Sequence, residues 1–291
     1  MAQLVAHHTG SVGVTGSNPV SSTDEGRHFL WRPFLCFRVS VTRTVVGMET
    51  FNKRVRTADQ AGAEAAGLRW LAQARSDVVV EVVGVGERSI STRRVAEARP
   101  TANAAQAFGR ALREVHASGA DAFGAAPEGW TGRNYIGRVE QECRPVEHWG
   151  DFYVHQRVLP FVEANGALDE GYRDVVKRTC DAVLKRHWDG CPARIHGDLW
   201  AGNVLFTADS AVMIDPAAHG GHPLTDLAML DLFGVPYLDD IYRGYGLAPD
   251  EKRWFPLHQL HPLAVHALTH GVAYHRALGD AAHAALELLE G

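Results

Sequence analysis

Apolar positions along this chain change their spacing near residue 97, and the change divides it into two unequal parts. Between residues 48 and 97 they fall into short strand-like runs, Phe51-Asn52-Lys53-Arg54-Val55 and Ser89-Ile90-Ser91-Thr92-Arg93-Arg94-Val95. Between those runs, over residues 59–74, Ala61, Ala65, Leu68 and Leu71 trace a helical stripe. From residue 101 the helical period dominates. Ala104, Phe108, Leu112 and Val115 mark a helix reaching Ser118, with Thr101 as its cap. Residues 119–147 read as loop-rich, helices follow near 149–165 and 169–187, and the chain from Leu224 onward is mostly helical. One interruption stands out: Val204-Leu205-Phe206 and Ala211-Val212-Met213-Ile214 are short apolar runs joined by Thr207-Ala208-Asp209-Ser210, a polar stretch of hairpin-loop length. The pattern predicts an α+β protein, with a small β-containing part at 48–97 and a mostly helical part at 98–291 that carries one β-hairpin. Gly84-Val85-Gly86 lacks the third glycine and the strand-to-helix setting of a dinucleotide fingerprint, and reads as a turn.

Residues 1–47 fit neither pattern. Residues 1–22 are rich in Gly, Ser, Thr and Val without periodicity, and residues 27–37 are aromatic-rich. The expectation is a disordered or spurious extension, with the start or frame misassigned upstream of residue 48. A secretory signal needs a basic start and a continuous apolar core, and neither is present. Asp24 and Glu25 interrupt what would otherwise pass for a transit peptide.

Composition narrows the setting. With 291 residues and 46% of them apolar, the chain can bury a substantial core. No apolar run approaches the roughly 20 residues needed to cross a bilayer. A formal charge of −5 gives no broad attraction for nucleic acid. Four cysteines without CxxC spacing suit a reduced, cytoplasmic setting, and nothing in the sequence calls for more than a monomer.

The densest chemistry lies around the predicted hairpin. Ile195-His196-Gly197-Asp198-Leu199-Trp200-Ala201-Gly202-Asn203 leads into it, and Val212-Met213-Ile214-Asp215-Pro216 leaves it. Folding about Asp209 sets Asn203 opposite Asp215, so that two hard oxygen ligands converge. Mg²⁺ takes a few protein oxygens and leaves its other positions to phosphate and water, which such a sparse pair permits. Asp198, on a turn made flexible by Gly197 and Gly202, would orient and deprotonate an acceptor hydroxyl. Together the three groups read as a phosphotransfer site. The plain alternative makes His-Gly-Asp a polar turn, with Asp198 capping local amides.

The segments HGDLWAGNVLF and VMIDPAAHGGHPLTDLAMLDLFG resemble the signature of the fructosamine kinase (ketosamine 3-kinase) family, a branch of the aminoglycoside-phosphotransferase and protein-kinase-like superfamily. Similarity extends outward through Asn134-Tyr135-Ile136-Gly137, Trp149-Gly150-Asp151-Phe152-Tyr153, Gln156-Arg157-Val158-Leu159-Pro160 and His258-Gln259-Leu260-His261-Pro262, covering roughly residues 51–279. The resemblance implies a bilobal kinase-like fold with a catalytic hairpin in the larger lobe. It also implies ATP-dependent phosphorylation of a sugar hydroxyl on a small-molecule ketoamine or glycated lysine. By the same pattern Asp198 is the catalytic base, Asn203 and Asp215 hold magnesium, and His196 is structural. Lys53 would contact the nucleotide phosphates and pair with Glu64. Asp226 would brace the catalytic loop through backbone hydrogen bonds, or else be an ordinary aspartate at a helix start.

Substrate contacts are weaker in the sequence. Trp200 offers either a flat face to the acceptor or core packing. Asn134 and Tyr135 are either acceptor contacts or a turn residue and a packed aromatic, and His219 and His222 either touch substrate or shape the Gly220-Gly221 turn. Of the sixteen histidines, His266 and His270 could share a helix face as a metal pair, but no HExxH pattern accompanies them. One expected element is absent from the pattern: residues 38–50, upstream of Lys53, offer only Gly47 toward a phosphate-covering loop. Two other functions therefore stay open, an aminoglycoside- or choline-type phosphotransferase and a nucleotide-binding protein without activity.

Overall fold

The computed structural model describes residues 43–45 and 48–291. Except for the strand at 43–45, the extension expected at 1–47 lies outside the described residues.

The smaller part is built on an antiparallel sheet. Strands β1 (Arg43–Val45), β2 (Met48–Arg54), β3 (Val82–Gly86) and β4 (Ser89–Arg93) are arranged in the order β1-β2-β4-β3. Helix α1 (Ala58–Ala74) follows β2, its start fixed by the Thr57 hydroxyl accepting from the Gln60 N–H. The Gly84-Val85-Gly86 segment is part of edge strand β3, with Gly84 opposite Ser91 and Gly86 opposite Ser89, rather than the turn its glycines suggested. A hairpin does precede Lys53. Val45 pairs with Met48, so β1 and β2 are joined by the two residues 46–47, which lie outside the described set.

The larger part begins with α2 (Ala102–Ala117), capped by Thr101 as its sequence predicts. The region expected to be loop contains a small hairpin, β5 (Asn134–Ile136) with β6 (Val139–Gln141). A continuous helical stretch then runs through α3 (Trp149–Phe152), a wider π turn over Tyr153–Val158, and α4 (Leu159–Ala164). Helix α5 (Glu170–Lys185) precedes β7 (Ala193–Ile195), and the predicted hairpin is β8 (Val204–Phe206) with β9 (Ala211–Met213). Strand β10 (His219–Gly221) returns to pair with β7, and α6 (Pro223–Phe233), α7 (Leu238–Tyr245), α8 (Phe255–His270) and α9 (His275–Glu290) complete the chain.

Two apolar cores hold these elements. One gathers Leu68 and Leu71 of α1, Val78 to Val80, Phe108 and Leu112 of α2, Met213 of the hairpin and Leu227 of α6. It joins the sheet-bearing part to the β8–β9 hairpin, and the main chain reinforces it where the Val80 N–H donates to the Met213 carbonyl at 3.0 Å. The second core lies among α3, α4, α5, α8 and α9, with Phe152, Val176, Leu257 and Leu278 at its centre. Among the described residues no helix is long and apolar enough to cross a membrane.

Helices α2 and α7 cross closely enough for backbone to meet backbone. A Cβ on Gly109 would lie 2.1 Å from the Ile241 carbonyl oxygen, and one on Gly244 would lie 2.1 Å from that of Gln106. At an open helix site, Gly→Ala stabilises by about 1 kcal/mol. Here the missing Cβ is what allows contact, so Gly109→Ala should instead lower the unfolding free energy by about 1–3 kcal/mol. Urea denaturation measures this; a variant as stable as the parent, or more so, contradicts the packing described.

Candidate active site

The loop between β7 and β8 is shaped by a buried carboxylate. Asp226, in the first turn of α6 and 0% exposed, accepts from the N–H groups of His196 (2.7 Å) and Gly197 (2.9 Å). Its Oδ2 also lies 3.1 Å from His116 Nε2. Burial alone would raise this carboxyl, but the His116 ring and the amides hold it below its ordinary value. Gly197 adopts φ +78°, and a Cβ there would fall 2.4 Å from the Ala217 carbonyl oxygen. His196 is buried with Nε2 2.9 Å from the Ile214 carbonyl oxygen, so its ring ties the incoming loop to the outgoing strand.

That loop brings Asp198 to Asn203. Asn203 Nδ2 donates to the Asp198 carbonyl oxygen at 2.8 Å and to its carboxylate at 3.1 Å, which leaves the amide oxygen available for another partner. The hairpin register is offset by one residue from the sequence expectation. Val204 pairs with Met213, so Asn203 faces Ile214, whose N–H donates to the Asn203 carbonyl at 3.0 Å. Asp215 lies one residue beyond and takes φ 54°, a left-handed conformation that aspartate tolerates better than most residues. The turn keeps it close: Asn203 Nδ2 is 3.5 Å from the Asp215 carbonyl oxygen.

Lys53, on a central strand of the sheet, completes the group. Its Nζ lies 2.8 Å from Glu64 of α1 and 3.2 Å from Asp215 Oδ2. Burial would lower the lysine, but the carboxylates of Asp215 and Glu64 outweigh it and hold the ammonium above its usual value. The Asp198 carboxyl is pushed up to about 8, first by loss of solvation and then by the nearby Asp215 carboxylate, with Asn203 and Lys53 pulling the other way. Beside these groups opens a cavity of about 240 Å³, bounded by Phe51, Val80, Ile90, Val95, Leu205 and Ile214, with Lys53 and Asp215 at one side. Its apolar walls come from both the sheet and the hairpin, and no single stretch of sequence announces them.

The weaker candidates separate. His219 is 1% exposed, and both ring nitrogens are occupied, Nδ1 by the Ala217 carbonyl (2.8 Å) and Nε2 by Arg157 (3.2 Å), so it has no face left for an acceptor. His222 caps α6, accepting from the Leu224 N–H, and stacks on His258 at 4.6 Å. Burial pushes its imidazole down to about 4, the behaviour of a packed, neutral ring. Trp200 is half-buried, with its ring over Gly202, where a Cβ would come within 2.3 Å of it. Tyr135 is half-buried on β5, and the buried Asn134 pairs with Gln141, whose Nε2 donates to the Ala217 carbonyl at 3.3 Å. The β5–β6 hairpin thus touches the chain two residues past Asp215. His266 and His270 stack on each other at 5.0 Å, and among the described residues no group of three or more His, Cys, Asp or Glu side chains is arranged to hold a metal.

A four-stranded sheet with a Lys–Glu pair, joined to a mostly helical part that carries the β7–β8 loop and the β8–β9 hairpin, has the fold of the protein-kinase-like phosphotransferases. Within that class, the fructosamine kinase family model matches residues 49–286, and the chain belongs to that family. A protein of Thermus thermophilus named as a probable ketoamine kinase is 30% identical over 219 residues, covering 74% of this chain and 79% of its own. The crystal structure of a Thermobifida fusca protein assigned as a fructosamine-3-kinase aligns with TM-score 0.77 at 42% identity, covering 83% of this chain and 86% of that one. At the level of fold alone, a thermostable mutant of the aminoglycoside phosphotransferase APH(4)-Ia aligns with TM-score 0.58 at 16% identity, over 86% of this chain and 90% of that one.

Because the Asp226 carboxyl sits below the ordinary aspartate value of 3.8, its contribution to stability is complete above that pH and fades as pH falls through its folded-state value. Asp226→Asn turns an amide N–H toward the backbone donors it should receive, at a cost of about 3 kcal/mol at pH 7. Denaturation of both proteins between pH 7 and 3 should show the gap narrowing below pH 3.8; a gap that is absent, or that widens in acid, contradicts this role.

Proposed function

We propose that this protein is an ATP-dependent, magnesium-requiring kinase that phosphorylates a sugar hydroxyl of a ketoamine, such as the fructosamine of a glycated lysine. One observation carries the reading: Lys53, Asp215, Asn203 and Asp198 form an unbroken chain of contacts, from the sheet wall of the cavity to the loop after β7.

The donor set suits magnesium. Asp215 offers a carboxylate and Asn203 an amide oxygen, two hard ligands with room for phosphate oxygens and water. When bound, the ion neutralises charge on the transferring phosphoryl group. Lys53, kept charged by its two carboxylate neighbours, would bind the nucleotide phosphates, and Glu64 would hold it there. The apolar walls at Val80, Ile90, Leu205 and Ile214 fit a flat base.

Asp198 would orient the acceptor hydroxyl and take its proton as the new O–P bond forms. Its raised pKa of about 8 belongs to the arrangement without a cation; positive charge beside Asp215 draws the carboxyl back toward its ionised, basic form. Trp200, Asn134 and Tyr135 would bound the acceptor side. The relatives named as ketoamine and ketosamine kinases support the acceptor class.

ATP consumption measured with fructosyl-lysine, ribosyl-lysine, kanamycin and choline tests this reading. Turnover is expected on the sugar-amine adducts, and Asp198→Asn should reduce kcat by about 10²–10⁴. Turnover confined to kanamycin or choline would reassign the acceptor. Nucleotide binding without turnover on any acceptor would make the protein a binder.

A further inference from the structure

The main chain leaving Asp215 is gripped from a side that the nucleotide cavity does not explain. The Ala217 carbonyl accepts from His219 Nδ1 at 2.8 Å and from Gln141 Nε2 at 3.3 Å, while the Ala217 N–H donates to the His196 carbonyl at 3.0 Å. Ahead of Asp215, the Ile214 N–H and carbonyl are held by Asn203 and His196. The left-handed turn at φ 54° is therefore pinned on both flanks. A non-glycine residue in that region is strained and persists only where its surroundings over-determine it.

His219 can donate from Nδ1 while leaving Nε2 bare in only one neutral form, and Arg157 selects that form. Arg157 Nε lies 3.2 Å from His219 Nε2, and a guanidinium has no acceptor to offer. The imidazole proton must then sit on Nδ1, facing Ala217. Burial, followed by the charge of Arg157, holds this ring well below 6.5, so it stays neutral.

Arg157 is itself an expensive residue to place here. It is 1% exposed, and its other donors go to neutral groups: the carbonyls of Glu142 (2.6 Å) and Gln156 (2.9 Å) and the sulfur of Cys143 (3.5 Å). The Phe152 ring lies 4.6 Å from the guanidinium. Taking a guanidinium out of water carries a desolvation cost that a Met or Leu of similar reach would not incur. The local helix accommodates it. Pro160 lacks an N–H, so the Gln156 carbonyl has no ordinary helical donor; Arg157 Nη1 supplies one, and the Leu159 N–H reaches back to Val154. Isolated π turns of this kind recur at functional sites.

We propose that Arg157 and His219 form a positioning relay for the reaction: Arg157 fixes the tautomer of His219, His219 fixes the Ala217 carbonyl, and the fixed carbonyl holds Asp215 in its metal-binding posture. Neither residue touches the reacting atoms. The relay rests on the reading of Asp215 as a magnesium ligand. Groups that orient metal ligands through hydrogen bonds typically account for 10–100-fold in metal affinity.

Two substitutions separate the links. His219→Asn keeps an amide donor near the Nδ1 position but cannot reach Arg157; His219→Gln places a carbonyl oxygen near the Nε2 position and leaves no donor beside Ala217. The relay predicts that His219→Gln raises the half-saturating magnesium concentration about tenfold, with a smaller change in kcat at saturating magnesium, and that His219→Asn restores most of the affinity. Equal magnesium requirements in both variants and the parent overturn the relay. The same titration on Asp215→Asn distinguishes the two readings: a raised requirement there with none in His219→Gln removes the relay alone, and an unchanged requirement there removes the metal assignment and the relay together. A further measurement needs no variant to fold. ¹⁵N NMR of the histidine-labelled parent protein should show His219 protonated at Nδ1 and bare at Nε2; the opposite tautomer overturns the proposal.

Discussion

The contact between the Lys53 ammonium and the Asp215 carboxylate makes one site out of two structural parts, because the lysine belongs to the sheet and the aspartate to the end of the hairpin. Both side chains are about one-third exposed, at 31% each, so the pair adds little to stability by itself. Its importance is positional. It brings the Lys53 ammonium and the Asp215 carboxylate together at an apolar cavity, with Glu64 also holding the lysine.

In the proposed site that placement works only if the loop between β7 and β8 is rigid before any ligand arrives. Asp226 supplies much of the rigidity by gathering the His196 and Gly197 amides on a single buried carboxylate at the start of α6, where the helix dipole favours negative charge. His196 passes the constraint across to Ile214, and Asn203 ties Asp198 to the strand entrance. Polar groups fixed in this way need no reorganisation during phosphoryl transfer, which is the usual source of catalytic electrostatics.

The sequence disclosed the parts of this arrangement that rest on local pattern. Helix spacing located α1 and α2, a threonine marked the start of α2, and two apolar runs about a four-residue polar segment predicted β8 and β9. Their register was read one residue off: the pairs run Val204–Met213 and Leu205–Val212, and Asp215 comes near Asn203 through a left-handed turn rather than by direct pairing. Nothing in residue type requires that turn. Gly84 and Gly86 entered a strand because Ser89 and Ser91 face them, a tertiary fact that local propensity does not carry. His219 and His222, which flank Gly220-Gly221, leave open in sequence whether they touch substrate or shape the turn; in the fold His219 is buried with both ring nitrogens bonded, and His222 caps α6. Nothing in the local pattern around Arg157 marks it as buried; the one signal, Pro160 three residues on, gains meaning only where the helix widens.

In the proposed site Asp215 and Asn203 jointly hold the metal of a bound nucleotide while Lys53 meets its phosphates. A crystal structure of the protein with magnesium and a non-hydrolysable ATP analogue tests this most directly. A magnesium ion is expected about 2.0–2.1 Å from an Asp215 carboxylate oxygen and from the Asn203 amide oxygen, with Lys53 Nζ on the phosphates and the base between Ile90 and Leu205. A metal coordinated elsewhere, or a nucleotide whose phosphates lie away from Lys53, would contradict it.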